Sequence, residues 1–180
     1  MSDDKVYHDV QKLRSPERLA RLEVDRVVSL ALDGIDARTV LDIGTGSGIF
    51  AEAFAGRGLA VTGVDVQEAM LEAAGRYVPE ARFERAASEE LPFPDASFDL
   101  CFLGLVLHET AQPLRAVREA RRACASRTAV LEWPYREQAA GPPLEDRLKA
   151  DDVIGLAAAA GFTAIRTVPL THLVLYLFDK

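Results

Sequence analysis

A chain of 180 residues, 49% hydrophobic and 27% charged, has the length of one core and the composition of a folded globular domain, which excludes disordered, collagen-like and disulfide-rich classes. Its formal net charge of −7 opposes a phosphate backbone, so no nucleic-acid partner is expected, and Arg115, Arg118 and Arg122 at helical spacing read as a solvated helix face. Cys101 and Cys124 lack C-x-x-C spacing and read as buried thiols. The charged start "MSDDKVYHDVQKL" has no signal-peptide core and no apolar run spans a bilayer, so the expectation is a cytoplasmic protein with no membrane partner.

In chain order, residues 16–32 ("PERLARLEVDRVVSLAL") set Leu19, Leu22, Val27 and Leu30 on a helical period behind Ser15 as cap and Pro16 as first-turn proline, which predicts one helix. "TVLDIG" is a short apolar strand, and "IFAEAFAGRG" a helix stopped by its glycines. "AVTGVD" is a strand, "QEAMLEAAGRY" a helix ended by Pro79, and "ARFERAA" and "SFDLCFLGL" are strands. "PLRAVREARRAC" is then a helix, "TAVLEW" a strand, and "EDRLKADDVIGLAAAAG" a helix closing on Gly161. Buried strands alternating with helices predict a parallel sheet covered on both faces. The last two strands, "FTAIRTV" and "HLVLYLF", are joined by a link too short for a parallel crossover, so they pair antiparallel. The expected fold is an α/β, Rossmann-like, doubly wound sheet of seven strands, mostly parallel with one antiparallel C-terminal strand. It forms a single domain over 1–180, with 1–37 as an N-terminal helical segment or lid and 38–180 as the cofactor-binding core. Residues 134–145, "PYREQAAGPPLE", are the longest irregular stretch, and loops of that kind often cover ligands.

In such a sheet, ligands bind beyond the carboxyl ends of the strands where strand order reverses, and "VLDIGTGSGIF" sits at that place. A P-loop needs G-x-x-x-x-G-K-[ST], but the second glycine position is Ile49 and no lysine follows. A dinucleotide fingerprint fits only at Gly44 and Gly46, because Ile49 occupies the third glycine. Asp42, two residues before Gly44, would repel a pyrophosphate and favour an ammonium, while backbone N–H groups at the following helix suit a carboxylate. Asp65, at the tip of the second strand, can accept both hydroxyls of a ribose. An adenosine with an amino-acid tail meets these demands, and that is S-adenosylmethionine.

The runs "VLDIGTGSG", "VTGVDVQEAM" and "ERAASEELPFPDASFDLCFLGLVLHE" together resemble the class I S-adenosylmethionine-dependent methyltransferases, small-molecule type, similar to the quinone-biosynthesis group, over roughly residues 38–178. The resemblance implies that Asp42, Gly44, Gly46 and Gly48 hold the methionine end of the cofactor, with Thr45 and Ser47 lining the turn. It also implies that Asp65 binds the ribose, that Val66 and Met70 pack on the adenine, and that Leu103 and Leu105 at the fourth strand tip border the cofactor. Members of the family often carry Gly-Asp-Ala before "EELPF", with the aspartate bonding the adenine amine. Here those residues are Ala86, Ala87 and Ser88, so one hydrogen bond is missing or comes from Ser88 or Glu89.

The implied reaction moves a methyl group from S-adenosylmethionine to a small, partly apolar acceptor and leaves S-adenosylhomocysteine. Such a displacement chiefly needs alignment of the acceptor with the methyl carbon. His108 is the candidate base, with Glu109 beside it; "HETAQ" lacks the second histidine of a zinc protease, so no metal site is expected. Tyr7 and His8 are placed in a lid, Tyr7 as a further catalytic candidate, and Trp133, Tyr135 and the "GPP" at 141–143 in an apolar acceptor pocket. The rival readings are a nicotinamide-dependent oxidoreductase and a non-catalytic cofactor-binding or partner-dependent subunit. A monomer or homodimer is expected.

Overall fold

The computed structural model describes residues 10–180. A short helix α1 (Val10–Leu13) precedes α2 (Pro16–Leu22), which is capped by the Ser15 side chain accepting from the Arg18 N–H, and α3 (Val24–Leu32). The single helix expected over 16–32 is therefore two, broken at Glu23, whose φ of 48° is left-handed. A non-glycine residue there costs about 1 kcal/mol, and tertiary contacts hold it. The Glu23 carboxylate accepts the Thr171 N–H at 3.1 Å and the Arg26 guanidinium at 2.9 Å, bonds that lower its pKa. The break lets α2 turn toward the cleft described below while α3 lies on the sheet.

The sheet contains β1 (Thr39–Ile43), β2 (Ala60–Asp65), β3 (Arg82–Arg85), β4 (Phe98–Gly104), β5 (Cys124–Glu132), β6 (Ala164–Pro169) and β7 (Val174–Asp179), in the order β3-β2-β1-β4-β5-β7-β6. Only β7 runs against the rest; it lies between β5 and β6 and pairs antiparallel with both, as the short β6–β7 link requires. Helices α4 (Ile49–Ala55) and α5 (Glu68–Tyr77) follow β1 and β2, while α6 (Pro113–Ala123) and α7 (Ala150–Ala160) precede β5 and β6. Strand alternation splits the core. Val40, Leu100, Phe102, Leu175 and Leu177 face α3 and α4, whereas Leu41, Cys101, Leu103, Tyr176 and Phe178 face α6 and α7.

Two boundaries differ from the sequence reading. β5 starts at Cys124, directly after α6, with its register to β4 shifting between Phe98 and Leu100. α7 starts at Ala150, because Leu144–Asp146 form a separate 3₁₀ turn and Arg147 takes up the carbonyls of the preceding loop. Cys101 and Cys124 are free, buried thiols, and among the described residues no helix is long and apolar enough to cross a membrane.

Candidate active site

Strand order reverses between β1 and β4, and a cleft of about 340 Å³ opens at the carboxyl ends of β1, β2 and β4, joined by a recess of about 70 Å³ beside the β1–α4 loop. Close approach of backbone to side chain shapes that loop. A Cβ on Gly44 would lie 2.5 Å from a Val106 methyl, and Gly44 has a φ of 71°, so both the space and the conformation demand glycine. The N–H groups of Gly44 and Thr45 both donate to the Val64 carbonyl, at 2.8 and 2.9 Å, which lashes the loop to β2.

Two carboxylates brace the turn. Asp42 is buried beneath it on the α4 side, where its Oδ2 accepts the Thr45 hydroxyl at 2.6 Å; burial pushes its pKa up to about 7 despite that bond. Asp65 at the end of β2 accepts the Gly46 N–H on Oδ2 at 2.9 Å and the Gln67 N–H on Oδ1 at 3.0 Å, and burial raises its pKa as well. Asp65 therefore orients the glycine loop as well as facing the cleft. Ser47 differs from both: its hydroxyl is buried in the recess with no hydrogen-bond partner, while its carbonyl accepts two bonds from Arg14 at 3.2 and 2.9 Å. Arg14 also pairs with Glu52 at 2.8 Å and lies 3.5 Å over the Tyr77 ring, so it clasps α1 to the loop.

The structure brings Gly44, Gly46, Asp65, Val66, Met70, Ser88, Glu89, Leu105 and Glu109 to the main cleft, and Asp42, Thr45 and Ser47 to the recess. Four expected residues line neither. Gly48 packs its backbone on Ala74; Ala87 turns into an isolated bridge with Glu90; Leu103 is in the α6-facing core, since strand alternation gives the cleft to Gly104. His108 is the fourth. Its side chain is 5% exposed, its Nδ1 lies 3.0 and 2.9 Å from the two oxygens of the buried Glu132, and its backbone N–H donates to the same carboxylate at 3.1 Å. Tyr7 and His8 lie outside the described residues.

The loop after β5 does not form the expected acceptor pocket. Trp133 is buried in the α3–α4 core, and Gly141 approaches so closely that a Cβ there would be 2.8 Å from the indole. The main cleft is walled instead by Leu13 of α1, Arg18 of α2, and Thr110 and Ala111 after the 3₁₀ turn Leu107–Glu109. Leu105, at both cavities, has a φ of 60°, and strained backbone of this kind collects at functional sites. Leu13 and Arg18, on two short N-terminal helices, carry no motif, and for Leu105 no pattern marks the strain. Ser88 and Glu89 line the cleft together with Ala86, and the Ser88 hydroxyl donates to the Glu89 carboxylate at 2.9 Å. Among the described residues no group of three His, Cys, Asp or Glu side chains could hold a metal.

Residues 41–130 match the family model described as a methyltransferase domain. An uncharacterized methyltransferase of Mycobacterium sp. (strain JLS) is 39% identical over 82 residues, covering 46% of this chain and 32% of the relative. A demethylmenaquinone methyltransferase of Renibacterium salmoninarum is 32% identical over 117 residues, covering 65% of this chain and 47% of the relative. The chain thus spans a third to a half of the length of these relatives. The crystal structure of a SAM-dependent methyltransferase from Aquifex aeolicus superposes with a TM-score of 0.83 at 26% identity, covering 94% of this chain and 96% of that one.

Proposed function

Because the chain belongs to the methyltransferase-domain family and carries the fold of SAM-dependent methyltransferases, we propose that it transfers the methyl group of S-adenosylmethionine to a small-molecule acceptor. Bound in the cleft, that cofactor supplies an electrophilic methyl carbon on a sulfonium. The remaining work falls to positioned side chains.

The observation that carries the reading is the pairing of Ser47 with Asp42 in one recess. A buried hydroxyl without a partner costs free energy until a ligand satisfies it, and a carboxylate held near neutrality by burial regains its charge when an ammonium arrives. An amino acid offers both complements, a carboxylate for Ser47 and an ammonium for Asp42. Asp65 keeps acceptor capacity for the ribose hydroxyls while it steadies Gly46. Val66 and Met70 provide apolar contact for the adenine, and Glu89 with Ser88 offers an acceptor for its amine. Leu13 and Leu105 exclude water between this end and the acceptor side, and Glu109 stands on that side as a carboxylate able to take a proton.

Calorimetric titration with S-adenosylhomocysteine, NADH and the Asp65→Ala protein tests this. Micromolar binding of S-adenosylhomocysteine alone, weakened in Asp65→Ala, is expected. NADH binding in its place overturns the cofactor. A panel of hydroxyl, amine, thiol and thioether acceptors then tests transfer, and tight cofactor binding with no transfer by the chain alone identifies a partner-dependent subunit.

A further inference from the structure

His108 and Glu132 form a buried ionisable pair that binding of the cofactor does not use. Glu132 closes β5 and shares the side of Val130, the face covered by α6 and α7, where its side chain is 1% exposed. Hydrogen-bonding groups surround its carboxyl group there. The backbone N–H groups of His108 and Trp133 each donate to it at 3.1 Å, and His108 Nδ1 lies within 3.0 Å of both oxygens. Glu132 offers Nδ1 only acceptor oxygens, so that nitrogen carries a proton. On the other edge of the ring, Nε2 lies 3.7 Å from Glu109 Oε1, and Glu109 lines the cleft between Val106 and Thr110. At that distance the two share no hydrogen bond, but a proton on Nε2 sits beside the Glu109 carboxylate as an ion pair.

We propose that Glu132, His108 and Glu109 form a relay that holds one proton behind the cleft wall, with Glu109 as its open end, and that the methyl acceptor is an O–H or N–H group whose proton passes to Glu109. This rests on the transfer reaction above. The acceptor atom forms its bond to the methyl carbon, the carbon–sulfur bond breaks with its electron pair going to sulfur, and the acceptor's proton moves to a Glu109 oxygen. Charge then balances, since a cationic sulfonium becomes a neutral thioether and a carboxylate becomes a carboxylic acid. Glu132 acts through His108 and is a positioning residue. The imidazole it fixes keeps Glu109 oriented toward the cleft and stabilises its charge between turnovers. The sheet supplies one more ionisable neighbour. Tyr176 on β7 faces Glu132, and burial first, then that carboxylate, pushes its phenol up to about 12, so it stays neutral and does not compete for the proton.

A pH titration of histidine ring nitrogens by ¹⁵N NMR, on wild type, Glu109→Gln and Glu132→Gln, reads the relay without any acceptor. The expected wild-type result is a His108 ring doubly protonated beyond the ordinary histidine midpoint of about 6.5. In Glu109→Gln the midpoint drops by at least one pH unit with Nδ1 still protonated, and in Glu132→Gln, which keeps an acceptor oxygen but loses the charge, the midpoint drops as well. An unchanged midpoint in Glu109→Gln, or a wild-type ring protonated only on Nε2, overturns the relay. In the acceptor panel, Glu109→Gln lowers kcat at least tenfold on O–H and N–H acceptors with KM for S-adenosylmethionine held, and Glu109→Asp restores part of it. Transfer confined to thioethers overturns the acceptor class. If calorimetry finds no S-adenosylhomocysteine binding, the functional reading fails by itself, and the NMR series still decides the relay.

Discussion

Two loops leave the carboxyl ends of neighbouring parts of the sheet, and they handle buried polarity in opposite ways. In the loop after β5, Arg147 is 6% exposed, and its guanidinium donates through all three nitrogens to the carbonyls of Pro134, Arg136, Ala140 and Pro142 and to Gln138, while lying 5.4 Å over the Trp133 ring. Its hydrogen bonding is complete within the loop. The loop after β1 covers Asp42, which burial near the strand end pushes up to about 7, and leaves the Ser47 hydroxyl without a partner. Aromatic and proline content made the first look like a ligand cover, yet the second is where a ligand is still owed contacts. Of these two loops, the one with the unsatisfied hydroxyl, rather than the one rich in aromatics and prolines, lines the cavities.

The largest effect expected from that contrast is on stability. Arg147→Ala strands four carbonyls and uncovers Trp133, and is expected to cost about 3 kcal/mol in chemical denaturation while S-adenosylhomocysteine affinity stays within about threefold. A tenfold loss of affinity would put the β5 loop back into the site.

Asp65→Ala removes the carboxylate proposed for the ribose and the tie to Gly46 together. Calorimetry is expected to show affinity falling by about thirtyfold, on the scale of two net hydrogen bonds of about 1 kcal/mol each.

Asp42 gives a pH signature with opposite signs in the free and bound protein. Burial raises its pKa from 3.8 to about 7, so in the free protein its contribution to stability is present at low pH and is lost as pH rises through 7. An ammonium ligand reverses the preference, and affinity for S-adenosylhomocysteine is expected to rise about tenfold between pH 6 and pH 8. Asp42→Asn should flatten that rise and stabilise the free protein at pH 8, both measurable by titration and melting.

Much of this fold was legible from the chain. The strand–helix alternation gave the sheet, and the brevity of the link around "PLT" gave the single antiparallel strand, because chain length alone forbids a crossover there. The glycine spacing, Asp42 and Asp65 placed the cleft, since their constraints are local to one turn. What escaped depends on partners far along the chain. Glu23 breaks a helix that its periodicity favours because Thr171, 148 residues away, donates to it. His108 looked like an open base, but Glu132, 24 residues on and carried by the adjacent strand, turns it inward and leaves Glu109 to face the cleft. Trp133 resembled a pocket aromatic because nothing near it reveals that Arg147 and Gly141 seal it. Motifs report what a turn must do, whereas burial of a particular polar group is settled only when the sheet closes.

The smallest change tests the central contrast most directly. Ser47→Ala deletes a buried hydroxyl that has no partner in the free protein, so denaturation is expected to find its stability unchanged or slightly raised, while calorimetry finds S-adenosylhomocysteine binding weakened by about fivefold, the worth of one hydrogen bond. A variant that loses stability by more than about 1 kcal/mol and binds S-adenosylhomocysteine as tightly as wild type would contradict the account, since Ser47 would then be serving the fold rather than waiting for the ligand.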